Sequence, residues 1–195
     1  MRLRIDDYEA EALDQLPQMV ADYYAGGSRD EGTLRANRSG WDRWRLRHRV
    51  LVDVSELDAS IEVPGGRAAF PVVAAPTAFH GLAHPDAEKA TAAGVSVAGT
   101  AMCLSTLSNT PVEEVVASAD GAPVIFQLYV YKDRGATDAI VARVREAGCK
   151  ALMVTVDAAI LGTRERDIRN GFHLPPPWSL PNAAPTGVAV PASAG

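Results

Sequence analysis

From Ala68 onward the chain repeats one phrase: an apolar run, a polar turn, then a segment with helical spacing. The runs are "AAFPVVAAP" (68–76), "AGTAMCLST" (98–106), "APVIFQLYV" (122–130) and "ALMVTVDAA" (151–159). Between them stand "HPDAEKATAAGVSV", "PVEEVVASAD" and "DRGATDAIVARVREAG", each with the acidic or proline start of a helix. Strands that alternate with helices pair in parallel through helical crossovers, so the class is α/β.

Two architectures fit that alternation, an open doubly wound sheet and a closed barrel. The polar residues choose between them. Thr77 follows the first run, Ser105 and Thr106 close the second, Gln127 and Tyr129 the third, and Thr155 and Asp157 the fourth. Polar groups at the C-terminal ends of four successive strands suit a ring around one ligand, as at the mouth of a barrel. No glycine-rich GxGxxG or phosphate-loop motif follows the first run. Within "FQLYVYKD" (126–133), Gln127 and Tyr129 stand two apart and so point to one side of an extended strand. Gln127 alone also reads as a satisfied core amide; the phenol beside it and the barrel context favour a ligand.

Four units make half of a barrel, which needs eight strands and about 250 residues; this chain has 195. Its closing stretch, "PNAAPTGVAVPASAG", is rich in Pro, Ala and Gly and reads as an exposed loop. The expected organisation is a helical and extended segment over 1–66, four β/α units over 67–182, and an exposed loop over 183–195 at a chain break. Four open parallel strands leave an edge and an apolar face uncovered, so the complementary half, a separate or cleaved chain, is expected as a tightly bound partner.

Ahead of the repeat, Tyr8, Leu13, Leu16, Met19, Val20 and Tyr23 recur at helical spacing, which predicts one amphipathic helix over 6–24, closed by Gly26 and Gly27. A short helix over 31–38 and an irregular, partly extended region up to Gly66 follow. The N-terminus lacks the apolar core of a signal peptide, and no run of about 18 apolar residues occurs. The reading is a cytoplasmic protein with no membrane partner. Cys103 and Cys149 lie in apolar surroundings without CxxC or Cys/His pairing, so they read as reduced core thiols and no metal is expected. A net charge of -5 argues against a nucleic-acid partner despite the basic run "RWRLRHR" (43–49).

Four motifs carry a resemblance: "DYYAGGSRDEGTLRANRSGWDRW", "APTAFHGLAHPDAEKATAAG", "FQLYVYKDR" and "LMVTVDAAILGTRERDIRNGF". In this order, across residues 5 to 182, the chain resembles the FMN-dependent α-hydroxy acid oxidases and dehydrogenases. The resemblance implies the N-terminal half of a (β/α)8 TIM barrel preceded by N-terminal helices, with FMN at the C-terminal mouth. It implies that Gln127 bonds the flavin pyrimidine edge, that Ser105 and Thr155 donate hydroxyls to the same ring, and that the backbone of Ala75, Pro76, Thr77 and Ala78 passes flavin N5 and the ribityl chain. An isoalloxazine, apolar on its faces and polar on its edge, wants a few fixed donors around an apolar slot.

For the substrate, a small α-hydroxy acid, the resemblance implies Tyr23 and Arg164 at the carboxylate. It also implies Tyr129 as the catalytic phenol at the carbon being oxidised. Arginine's planar fork suits a carboxylate. Each residue also has a plainer reading: Tyr23 as an apolar contact of its helix, Ser105 and Thr155 as strand caps, Arg164 as one charge in the solvated run "RERDIR". His84 reads as a helix-start residue, and His48, His80 and His173 have no site role. Glycolate oxidases carry tryptophan where this chain has Leu107 and arginine where it has Thr163. With Phe79 as an aromatic wall, Leu107 makes a roomier pocket, which favours an aryl substrate such as mandelate or 4-hydroxymandelate over glycolate.

The family's histidine base, the lysine beside flavin N1, a second arginine and the phosphate loops belong to the other half of the barrel. The chain is therefore expected to be inactive alone and to act within a homo-oligomer of the complete enzyme, its flavin reoxidised by oxygen to give hydrogen peroxide or by another acceptor. Two other readings stand beside this one. The first is an inactive half-barrel that serves only as an assembly partner; the second is another FMN barrel of the type 2 isopentenyl diphosphate isomerase kind.

Overall fold

The structure is a computed structural model that describes residues 1–157 and 160–183. Ala158, Ala159 and most of the expected terminal loop, 184–195, lie outside the described residues. The chain forms two compact units, one of residues 1–54 with 160–173, the other of 55–157 with 174–183.

The second unit holds the α/β repeat. It opens with a hairpin of β1 (Ile61–Val63) and β2 (Gly66–Ala68), paired antiparallel with Val63 opposite Gly66. The turn needs glycine at its second position: Gly65 has φ +91, and a Cβ there would stand 2.0 Å from Lys150 Cβ. This hairpin departs from the irregular region expected up to Gly66; its signal is the Pro64-Gly65 pair between two short extended runs.

The main sheet runs β3 (Met102–Leu104), β4 (Val124–Leu128) and β5 (Ala151–Val154), all parallel, in that spatial order. Leu104 faces Phe126, Phe126 faces Leu152, and Leu128 faces Val154. The crossovers are α4 (Ala87–Ala98) before β3, α5 (Val112–Ser118) and α6 (Arg134–Glu146). Gly99 closes α4 in the left-handed region, and the Asp133 carboxylate accepts the Ala136 N–H to open α6 at 3.1 Å. Period two then sorts the strands. Met102, Leu104, Val124, Phe126 and Leu128 pack with Ala92, Val95, Val112, Val115, Ile140 and Val144 of the helices to form the core. On β5 the residues registered with that face, Leu152 and Val154, remain 42% and 47% exposed.

The strand expected over 68–76 shrinks to one parallel bridge, Ala74 to Met102, with Ala74 donating to Ala101 and Cys103 to Ala74. Pro71 and Pro76 explain the loss, because each removes a ladder donor.

The first unit contains α1 (Ile5–Gln15), α2 (Gln18–Ala25), α3 (Gly32–Ser39), a 3₁₀ turn at Gly40–Arg43 and, much later in the chain, α7 (Glu165–Asn170). The single helix expected over 6–24 is corrected to two. Pro17 cannot donate to the preceding turn, and Leu16 before it is extended at φ -79, ψ 142. Among the described residues no helix is long and apolar enough to cross a membrane.

Candidate functional site

The C-terminal ends of β3, β4 and β5 converge on Gln127. The residue is 4% exposed. The carbonyl oxygen accepts the Thr106 N–H at 3.0 Å and the Ser105 hydroxyl at 3.4 Å, while Nε2 donates to Thr155 Oγ1 at 2.8 Å. The Thr106 hydroxyl donates to the Gln127 backbone carbonyl. A backbone N–H can only donate, so the Thr106 contact fixes which way the amide faces. Among the described residues two donors then remain: the second N–H of Gln127 and the hydroxyl hydrogen of Thr155, whose oxygen is already accepting.

Ser105, Gln127 and Thr155, three residues singled out in the sequence, are thus bonded into one network. Thr106, which the sequence showed only as a polar strand end, is its fourth member. Tyr129 follows β4, half-buried, and among the described residues its hydroxyl has no hydrogen-bond partner. Ala75, Pro76, Thr77 and Ala78 come directly after the Ala74 bridge to β3, with Ala75 and Thr77 exposed and the Thr77 hydroxyl donating to the Ala75 carbonyl at 3.4 Å. Phe79 is buried with φ +60, and its N–H donates to the Leu107 carbonyl at 3.1 Å. It packs inside the unit.

Tyr23 and Arg164 lie together in the first unit. The Tyr23 ring stacks on Phe172 at 4.4 Å and 9°, and the Arg164 guanidinium lies 5.1 Å from its centroid. Arg164 Nε donates to Asp167 at 2.5 Å, Nη1 to the Gly26 carbonyl at 3.2 Å and Nη2 to the Tyr23 carbonyl. Three of its five N–H groups are therefore already placed, and the residue braces the end of α2 as well as carrying charge. Around it, Arg166 bridges Glu31 at 2.6 Å and Asp22 at 3.4 Å, and Asn170 donates to Asp22 at 2.6 Å. Hydrogen bonds from Gln18 and Asn170 hold the Asp22 carboxyl below its usual range; those from Arg166 and the Gly27 N–H do the same for Glu31.

The other expectations resolve simply. His84 Nδ1 accepts the Asp86 N–H at 3.1 Å ahead of α4. Burial lowers His80 despite the nearby Glu88 carboxylate. Cys103 and Cys149 are free thiols, and burial pushes both up to about 11.

Parallel strands whose C-terminal ends carry fixed polar groups are the arrangement in which α/β folds place a ligand. Comparison with known proteins agrees. The profile of the FMN-dependent dehydrogenases matches residues 12–193, and the chain belongs to that family. It is 47% identical over 176 residues to glycolate oxidase 1 of Oryza sativa subsp. indica, which takes in 90% of this chain and 47% of that protein. To the glycolate oxidase of Spinacia oleracea it is 46% identical over 178 residues, 91% of this chain and 48% of that one. Mandelate oxidase with (S)-4-hydroxymandelic acid superposes with a TM-score of 0.89 at 38% identity, over 93% of this chain and 50% of that one. A soluble mutant of the membrane-associated (S)-mandelate dehydrogenase from Pseudomonas putida gives 0.85 at 36%, over 91% and 50%. The chain spans about half the length of the curated relatives it matches. Its fold is the N-terminal half of their TIM barrel.

FMN is the cofactor of this family, and the residues here fit it. The spare Gln127 N–H and Thr155 O–H would meet a ring with carbonyls on its edge, and the exposed residues Ala75 and Thr77 would leave room for a flat ligand.

Proposed function

We propose that the chain supplies the N-terminal half of an enzyme that oxidises an α-hydroxy acid to the α-keto acid. The observation that carries this reading is the Gln127 amide, locked by Thr106, Ser105 and Thr155 with one N–H left over. Such a donor is preorganised for a carbonyl on a ligand edge. FMN, when bound, supplies the two-electron acceptor. Gln127, Ser105, Thr155 and the Ala75–Ala78 segment orient the ring. Tyr129 hydrogen-bonds the substrate hydroxyl, Tyr23 hydrogen-bonds the carboxylate, and Arg164 braces Tyr23 and offers its two remaining N–H groups to the same carboxylate.

The preferred substrate is an aryl α-hydroxy acid of the mandelate kind, supported by Leu107 at the mouth and by the likeness to mandelate oxidases. With oxygen as the final electron acceptor, the second product would be hydrogen peroxide. The partner is a polypeptide that completes the barrel: among the described residues β5 offers it an unpaired edge and Leu152, Met153 and Val154, each more than 40% exposed.

A visible absorption spectrum with intact mass on the same sample tests this reading. Flavin bands that bleach on anaerobic addition of mandelate, together with a second mass of about 15–20 kDa for the rest of a barrel, are the expected result. Bleaching by glycolate alone would overturn the aryl preference. A colourless protein that takes up no added FMN would overturn the reading as a whole.

A further inference from the structure

We propose that Glu88 is a positioning residue that locks the two loops on which the flavin-facing end of the sheet depends. The assignment to flavin rests on the functional reading above. Glu88 lies in the first turn of α4 and is 0% exposed. No arginine or lysine pairs with it among the described residues. Instead four donors surround its carboxylate: the His80 N–H at 3.2 Å and the Asn109 N–H at 3.0 Å on Oε1, and the Thr110 N–H at 3.0 Å and the Thr110 hydroxyl at 2.7 Å on Oε2. A buried anion held by backbone N–H groups fixes those groups in space.

The groups come from different places in the sequence. His80 ends the segment that begins at Ala75. Asn109 and Thr110 end the segment that begins at Ser105. Two further bonds run between the same segments, from the Phe79 N–H to the Leu107 carbonyl at 3.1 Å and from the Gly81 N–H to Asn109 Oδ1 at 3.0 Å. The second segment carries Ser105 and Thr106, which hold the Gln127 amide. Hydrogen bonds from Asn109 and Thr110 to Glu88, and the short stretch of chain from there back to Ser105 and Thr106, thus join Glu88 to the one side chain on which the site turns. An apolar side chain would fill the space, but it would leave three backbone N–H groups buried without acceptors.

Glu88→Gln is the sharp test, because the amide has the same shape but turns one pair of donors against a donor. Two readouts are taken on the same protein. Amide hydrogen exchange is followed at Phe79 and Thr106, which Glu88 does not touch, relative to Phe126 in the core. FMN affinity is followed by flavin fluorescence. The expected result is faster exchange at Phe79 and Thr106 than at Phe126, with FMN binding weakened about tenfold or more. Val115→Ala in α5 serves as the control; it loosens the core and speeds all amides together without that bias. Thr110→Val removes one of the four donors and is expected to give a smaller shift in the same two amides, which settles the matter if Glu88→Gln does not fold.

Faster exchange confined to His80, Asn109 and Thr110 would overturn the proposal. Wild-type protein that binds no FMN, together with the expected exchange pattern in Glu88→Gln, would sink the functional reading and leave the lock between the loops standing.

Discussion

Asn182 gives the most quantitative prediction. It is 2% exposed and sits beyond the last described helix, yet it serves the start of α5 seventy residues earlier. Its Oδ1 accepts the Val112 N–H at 2.9 Å; its Nδ2 donates to Ser108 Oγ at 2.6 Å and to the Thr110 carbonyl at 2.7 Å. Val112 is the first residue of α5, and its N–H is one of the four that a helix leaves without an internal acceptor. Asn182→Ala strips that buried N–H of its partner, at about 1–3 kcal/mol. Thr110 keeps only a 3.5 Å contact from Ser108, which adds about 1 kcal/mol for a weakened bond. The total is about 2–4 kcal/mol. At a urea slope of about 2 kcal/mol/M, the unfolding midpoint falls by about 1–2 M. Asn182→Asp keeps the acceptor for Val112 but sets a carboxylate oxygen against the Thr110 carbonyl, so it is expected to cost at least as much. A loss below about 0.5 kcal/mol in Asn182→Ala would refute the reasoning.

Three further outcomes are expected. Tyr129→Phe in the assembled enzyme should retain flavin and lower turnover about a hundredfold, since only a proton-bearing hydroxyl at the reacting carbon is lost; steady-state kinetics with an aryl hydroxy acid checks this. The helical unit should weaken in acid. The Asp22 and Glu31 carboxyls are held below their ordinary values of 3.8 and 4.5, so their contribution is complete above those values and disappears as pH falls through the lowered ones. Circular dichroism against pH should show it, and Arg166→Met should shrink the effect. Finally, Cys103 and Cys149, pushed up to about 11, should react slowly with a thiol reagent near neutral pH and promptly after unfolding; rapid native labelling of either would contradict the burial assigned to it.

What the sequence made legible follows the range of the forces involved. The alternation of strand and helix was plain because periods of 2 and 3.6 are local. Gln127 and Tyr129 stood out by the same parity rule. Pro17, Pro71 and the Pro64-Gly65 pair were equally visible, but their effect on helix, strand and turn outweighed an apolar pattern that continued across them. Glu88 was hidden for a different reason. Apart from the Thr110 hydroxyl, its partners are backbone N–H groups up to 22 residues away, and every residue type but proline has such a group. The charges of "RERDIR" were visible without their pairing: Arg164 meets Asp167, Arg166 meets Glu31 and Asp22, and Arg169 meets Glu165. Only the fold makes that choice.

The return of α7 to the helices at the start of the chain has a kinetic consequence. Asn170 reaches Asp22 across 148 positions, whereas Ser105 and Gln127 are 22 apart. Closing the longer loop costs about 1.7 kcal/mol more in chain entropy. The parallel strands can therefore assemble while α7 is still being made. Among the described residues, the helices over 5–25 are made before the sheet yet must wait for α7, so local order of synthesis and order of folding differ there.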